Sequence, residues 1–427
     1  MASHAPMNRT ISALLYLAIF LLPFGQLLQL SIAPTIRLST VDAAVFLVAI
    51  VWLGSIAVRK KPFSALPLAP FIVLFVGIGT VSLVFSLWHF NLLQVEIGSL
   101  YLVRWIFYAA IYFVVYEQEN KPQLLKALTI SGVISAFFGI TQYFLYPNLR
   151  NLMYLGWDPH EYRVFGTFFD SGFAGIIYVL TLILIVYFCF EKNTNKIALF
   201  MGGTITYIAF ALTYARSSYV AFLAAFFILS ILKRTYKIAL FSVILLGTTI
   251  LLLPRPSETS EGVKLERTAS VAARGNNYLQ TLEIIKDNLF FGVGFNNLRY
   301  ENIERGFVAT EDRETSHAAA GSDASILFVA ATTGIFGLIG YMLLWYQMIR
   351  IEVSKAKSDH LSLFILPTIG ALLINSVFLN SLFYIWVMLW IWILLGISHG
   401  TNNTHFITSP VARNYFKSIF AFRKINR

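Results

Sequence analysis

The sequence predicts an all-α polytopic membrane protein with about twelve transmembrane helices and one large extracytoplasmic loop containing short helices. The 427 residues are 57% hydrophobic and only 12% charged, about half the charged share of a soluble domain. Mean hydropathy is +0.70. The apolar runs are continuous rather than alternating, which favours membrane-spanning helices over an outer-membrane barrel.

Each span needs about 20 mostly apolar residues to cross the hydrocarbon core. Segments of this kind lie at 11–30, 40–58, 66–88, 99–116, 123–146, 172–190, 197–214, 217–232, 236–253, 323–349, 361–379 and 381–398. No small-residue cleavage pattern follows the first run, so it is predicted to be a retained span. The single cysteine, Cys189, excludes an intramolecular disulfide and a cysteine-based metal cluster.

The basic residues predict the orientation. If the N-terminus is cytoplasmic, the inner segments, including both termini, carry 19 basic and 5 acidic residues. The net charge of +11 is then a positive-inside signal and does not indicate a nucleic-acid partner. The sequence therefore predicts a multi-pass protein of the cytoplasmic membrane with both termini inside.

Two predicted outward segments are long, namely 147–171 and Pro254–Gly321. Loops of this length are usually functional. The second holds 8 basic and 10 acidic residues and is predicted to be the large extracytoplasmic loop. No composition shift marks a separate domain, so residues 1–427 are predicted to form one integral membrane domain.

Arg216 is the only charged residue between Ile197 and Leu232. A single helix of 36 residues would be about 54 Å long, nearly twice the membrane core. The run is therefore predicted to be two spans joined by a tight turn, with Arg216 near the outer interface. Two interpretations remain open: Arg216 contacts lipid phosphates, or it binds a phosphate group of a lipid-linked substrate.

Arg104 lies within a predicted span. Glu96 precedes it by two helical turns, so an ion pair between them is at least as plausible as a substrate role.

Arg274 opens an amphipathic stretch in which Tyr278, Leu282 and Ile285 are spaced for one apolar face. This pattern predicts a helix along the outer membrane face. Gly292 and Gly294 follow and predict a tight turn or close backbone packing.

His317 and Asp323 precede the next span. Asp323, flanked by serines, has the features of an N-cap. Alternatively, either His317 or Asp323 could take a proton from a sugar hydroxyl as a general base.

Four segments in order resemble motifs of the O-antigen ligase/polymerase superfamily. They are "RVFGTFFDSGFAG" (163–175), "TYARSSYVAFLAA" (213–225), "ARGNNYLQTLEIIKDNLFFGVGFNN" (273–297) and "SDASILFVAATTGIFG" (322–337). The predicted topology also matches.

The resemblance implies a membrane glycosyltransferase that moves a glycan from a polyprenyl (undecaprenyl) diphosphate carrier to a lipid, glycan or protein acceptor. It implies cell-envelope polysaccharide or lipopolysaccharide synthesis, without a metal, nucleotide or other cofactor. The resemblance implies that Arg216 and Arg274 are the arginines that bind the diphosphate, with Arg163 as a third candidate.

The chain departs from the family pattern at several positions. The family has a loop histidine at a fixed distance before the first glycine of the last motif. In this chain Asp323 occupies that position, and His317 lies further upstream. Tyr278 stands in place of a tryptophan, and Asp170–Ser171 replaces a Pro-Asn pair. Asp323 and His317 therefore both remain candidates for the catalytic base.

Three alternatives stay open. A polymerase of the same superfamily would use the same residues as a ligase. A transporter or flippase for lipid-linked oligosaccharide would need charged residues at mid-membrane and internal repeats, neither of which is evident. A non-catalytic membrane scaffold is the third.

Overall fold

The structure is a computed structural model that describes residues 5–33, 36–59, 66–254, 261–266, 268–308 and 321–400. Within these residues the chain is predominantly helical. The α-helices, numbered α1 to α14, span Ala5–Leu21, Thr40–Arg59, Ala69–Ser86, Leu92–Tyr116, Lys121–Leu145, Ser171–Phe190, Lys196–Ala211, Arg216–Leu232, Tyr236–Leu252, Ala269–Asp287, Leu298–Glu304, Ser325–Lys355, Ser362–Phe378 and Ile385–Gly400.

Every predicted span coincides with an apolar helix. Within the described ranges, seven helices are long and apolar enough to cross a membrane, so the protein is a multi-pass α-helical membrane protein. Five more apolar helices, α7, α8, α9, α13 and α14, have 16 or 17 residues. The count of twelve spans and the outward position of the 254–321 loop remain predictions.

The oily run that contains Arg216 is two helices, as predicted. Helix α7 ends at Ala211, and α8 begins at Arg216 itself. Helix α8 packs against α6, α9 and α13. The buried α14 packs chiefly against α4. The turn between α7 and α8 lies at the same end of the bundle as the segment 146–170, because Val164 N–H donates to Leu212 O at 2.8 Å.

Helix α12 is broken at Gly334, and the segment after α10 fits into the break. Gly334 has φ 65° and ψ −167°, a region that is essentially restricted to glycine. The amides of Val293 and Gly294 donate to carbonyls of α12 at 2.9 and 3.1 Å. A Cβ at Gly292 would lie 2.4 Å from the Thr332 carbonyl carbon. The predicted close packing of the 292–294 glycines is therefore confirmed.

The predicted amphipathic helix is α10, which packs against α12. Its buried residues are Thr281 and Ile284, whereas Leu282 is 48% exposed. The helix is thus confirmed, and its buried side faces α12. The position of its Tyr278, Leu282 and Ile285 face along the outer membrane surface remains a prediction.

Two features at the start of the chain were not predicted. An antiparallel hairpin, with strands β1 (Gln29–Ala33) and β2 (Ile36–Ser39), connects α1 and α2. Arg104 pairs with Asp42 of α2 at 3.2 Å, so the expected partner, Glu96 on its own helix, was wrong. The charge on α4 is neutralised by a neighbouring helix.

Candidate functional site

The turn before Arg216 is held by Arg163. The Arg163 side chain is 7% exposed. Its Nε donates to Thr213 O at 2.9 Å, and Nη2 donates to Tyr214 O at 3.3 Å. Tyr214 has a positive φ of 49°, which is uncommon for a bulky residue. Arg163 therefore fixes an unusual backbone turn two residues before α8 starts.

The Arg216 guanidinium joins the start of α8 to the start of α10. Its Nη1 donates to Leu265 O at 3.1 Å, and Nη2 donates to Ser270 Oγ at 2.7 Å. Arg274 is one helical turn after Ser270, so both residues lie on the same side of α10. The Arg216 and Arg274 charges interact electrostatically. The two predicted diphosphate ligands thus lie in one region.

Asn277 brings Asp323 to the same side of α10. The Asn277 Oδ1 accepts from Asp323 N–H at 2.9 Å and from Ser322 Oγ at 3.3 Å. Asn277 lies three residues after Arg274 on the helix, so this contact places the start of α12 beside Arg274.

Asp323 is not an N-cap. Ala324 occupies the N-cap position of α12, and no side chain caps this helix end, so the capping interpretation was wrong. Burial raises the pKa of the Asp323 carboxyl, the Arg274 charge lowers it, and the carboxylates of Asp158 and Asp170 raise it further, with a net upward shift. A carboxylate with a raised pKa close to a fixed cation has the properties of a general base.

The loop before α6 holds a group of side chains that was not predicted from the sequence, namely Asp158, His160 and Asp170. Ligand atoms of these three side chains lie within 4.8 Å of one another. Asp170 Oδ1 caps α6 by accepting from the amides of Gly172 and Phe173 at 2.7 and 2.8 Å. His160 Nε2 lies 3.8 Å from Asp170 Oδ2.

Opposing effects act on the pKa of Asp170. Burial raises it, whereas His160, the backbone amide of Phe173 and the Arg163 charge lower it and prevail. Asp170 is therefore held as a carboxylate. The signal for this group was present in the sequence, since "WDPHEYRVFGTFFD" places three acids and a histidine around Arg163. It was overlooked because their proximity depends on the folded loop.

The structure thus brings together Arg163, Arg216, Arg274 and Asp323. His317 lies outside the described residues. Arg104 does not belong to this group, because it pairs with Asp42 and donates to Arg37 O at 2.7 Å. Within the described residues, the group that could hold a metal ion is Asp158, His160 and Asp170.

The family comparison covers most of these residues. Residues 198–342 match the family model described as O-antigen ligase. Over these residues the chain is similar to the O-antigen ligase/polymerase superfamily, which confirms the resemblance found in the sequence motifs. The family indicates an O-antigen ligase-like membrane glycosyltransferase. No curated protein gave a significant match.

The matched region includes Arg216, Arg274 and Asp323. Arg163 and the Asp158–Asp170 segment precede it. The part of the site that is shared with the family is therefore built on α8, α10 and the start of α12. The 147–170 segment lies outside the matched region and contributes Arg163 and the Asp158, His160 and Asp170 group.

Proposed function

We propose that the protein transfers a glycan from a polyprenyl-diphosphate carrier to an acceptor hydroxyl on the outer face of the cytoplasmic membrane. The observation that carries this proposal is the convergence on α10 of two arginines and a carboxylate with a raised pKa. Arg216 bonds to Ser270, and Asp323 bonds through its amide to Asn277. Arg274 lies between these positions on the same helix.

In the proposed reaction, the acceptor oxygen attacks the anomeric carbon while the bond from that carbon to the diphosphate oxygen breaks. The diphosphate leaves with the bonding electrons, and Asp323 takes the proton of the acceptor hydroxyl. Arg216 and Arg274 stabilise the charge that develops on the leaving diphosphate. One donor of this kind contributes about 10²–10³ in rate. His317 remains the alternative base.

The roles of Arg216 and Arg163 follow from their contacts. The Arg216 side chain is oriented by hydrogen bonds to Leu265 O and Ser270 Oγ, so it binds substrate without a large ordering cost. Arg163 donates to backbone carbonyls of the turn before α8. It was predicted as a third diphosphate ligand, and these contacts favour a positioning role.

An apolar groove supports a lipid-linked donor. The groove has a volume of about 670 Å³ and is formed by α6, α7, α8 and α9. Phe222 and Phe226 of α8 line it. Phe222 is about 9 Å along α8 from Arg216. An isoprenoid chain in this groove would place its diphosphate near the start of α8. The acceptor class and the distinction between ligase and polymerase stay open.

Glycan transfer by the purified protein in detergent tests the proposal. Arg216→Ala and Arg274→Ala should each lower transfer at least 100-fold, while membrane insertion stays intact. Arg150→Ala is the matched control, because the Arg150 side chain is exposed and its partner, at 2.7 Å, is Glu161. Full activity in both test variants would refute the diphosphate-ligand assignment. Vesicle transport of the lipid-linked glycan without transfer would favour the transporter alternative.

A further inference from the structure

The geometry points to a divalent-cation site formed by Asp158, His160 and Asp170, suited to Zn²⁺ or Mn²⁺. The ligand atoms of the three side chains lie within 4.8 Å of one another. One imidazole and two carboxylates suit these ions better than Ca²⁺ or Mg²⁺, which prefer all-oxygen sites.

The buried imidazole nitrogen provides an independent observation. His160 is 8% exposed, and its Nε2 atom is buried without a hydrogen-bond partner. The nearest carboxylate oxygen of Asp170 is 3.8 Å away, which is too far for a hydrogen bond. A buried polar atom without a hydrogen-bond partner destabilises the folded state. A cation between Nε2 and Oδ2 would remove this destabilisation.

The separation matches the size of such an ion. Zinc bonds to nitrogen and oxygen ligands are about 2.0–2.2 Å, so two ligands at a tetrahedral angle lie about 3.4 Å apart. The observed 3.8 Å would need to close by only a few tenths of an ångström. Three protein ligands leave at least one position for water.

The loop is built to hold these ligands in place. Asp170 directs Oδ1 to the amides of Gly172 and Phe173, which leaves Oδ2 facing His160. The backbone on either side of the imidazole is also tied: His160 N–H donates to Asp158 O at 2.8 Å, and Leu149 N–H donates to His160 O at 2.9 Å.

The cation would tie the 147–170 loop to the start of α6, close to the arginine that holds the turn before α8. This role adds to the family's expected metal-free transfer, because the proposed reaction uses Arg216, Arg274 and Asp323. The inference therefore concerns cation binding and loop stability, and it stands independently of the transfer reaction.

The test is Zn²⁺ binding to the purified full-length protein after chelator treatment, measured by calorimetry together with the thermal midpoint. We expect one Zn²⁺ per chain at this site and a higher thermal midpoint in its presence. His160→Gln and Asp158→Asn should each weaken binding at least tenfold and abolish the thermal shift. His89→Gln, an exposed histidine between α3 and α4, should bind Zn²⁺ as the wild type does.

A matching gel-filtration profile without metal establishes that the variants are folded. No Zn²⁺ binding by the wild type, or unchanged binding by His160→Gln, would overturn the proposal in favour of a direct His160–Asp170 ion pair. Because binding is measured without substrate, this outcome is separate from any failure of the glycan-transfer assay.

Discussion

Replacement of Arg163 by alanine separates the positioning of the site from substrate binding. The two Arg163 hydrogen bonds, at 2.9 and 3.3 Å, end on carbonyls of Thr213 and Tyr214, residues that are 0% and 1% exposed. A hydrogen bond to a charged group contributes about 1.5–3 kcal/mol. The two bonds together therefore stabilise the turn by about 3–6 kcal/mol.

We expect Arg163→Ala to lower the thermal midpoint in detergent by several degrees. The same variant should lower the rate of glycan transfer at least tenfold, because the turn sets the position of Arg216. Arg163→Lys should recover part of both, since lysine supplies a donor without the guanidinium fork. Arg274→Ala should abolish transfer with little change in the midpoint. A wild-type midpoint and wild-type transfer in Arg163→Ala would refute the positioning role.

Three further predictions concern Asp323, Ser270 and Gly334. Asp323→Asn should abolish transfer without lowering the thermal midpoint at pH 7. The pKa of the Asp323 carboxyl is raised in the folded protein, so the ionised carboxylate disfavours the folded state at pH 7 and its removal should not destabilise it. A lower midpoint in Asp323→Asn would contradict this reasoning. The acidic limb of the wild-type pH–rate profile should lie above about 3.9, the ordinary aspartate pKa; a limb at or below that value would count against Asp323 as the base. Ser270→Ala removes the hydroxyl that accepts from Arg216 at 2.7 Å and should lower transfer by about three- to tenfold, corresponding to roughly 1 kcal/mol; unchanged kinetics would show that the bond does not orient Arg216. Gly334→Ala would place a Cβ 2.2 Å from Phe290 O at φ +65° and should destabilise the folded protein by more than about 3 kcal/mol. Gly247→Ala is the control, because a Cβ there would have no atom within 4 Å, and it should not destabilise the protein. Equal thermal midpoints in these two variants would contradict the packing at the break in α12.

The elements predicted from local signals agree with the structure. Hydropathy located the apolar helices because a span must satisfy its own backbone hydrogen bonds in lipid. The length of the run around Arg216 indicated a helical hairpin, because a single helix of that length would be nearly twice as long as the membrane core is thick. The 292–294 glycines indicated close packing, because only glycine tolerates both the backbone angles and the contact there.

The missed features depend on contacts between distant segments. Arg104 of α4 pairs with Asp42 of α2. Residue spacing within α4 cannot reveal a partner on another helix. Asp323 has an Asp-Ser pattern typical of a cap, but the amide oxygen of Asn277 holds its backbone instead. The proximity of Asp158, His160 and Asp170 arises from the fold of one loop.

Direct binding of a polyprenyl diphosphate to the purified protein is the most direct test of the proposed site. We expect the wild type to bind the diphosphate more tightly than the corresponding monophosphate. Arg216→Ala and Arg274→Ala should each weaken diphosphate binding at least tenfold, while Arg150→Ala should not. Wild-type affinity in both test variants would contradict the claim that these two arginines form the diphosphate site.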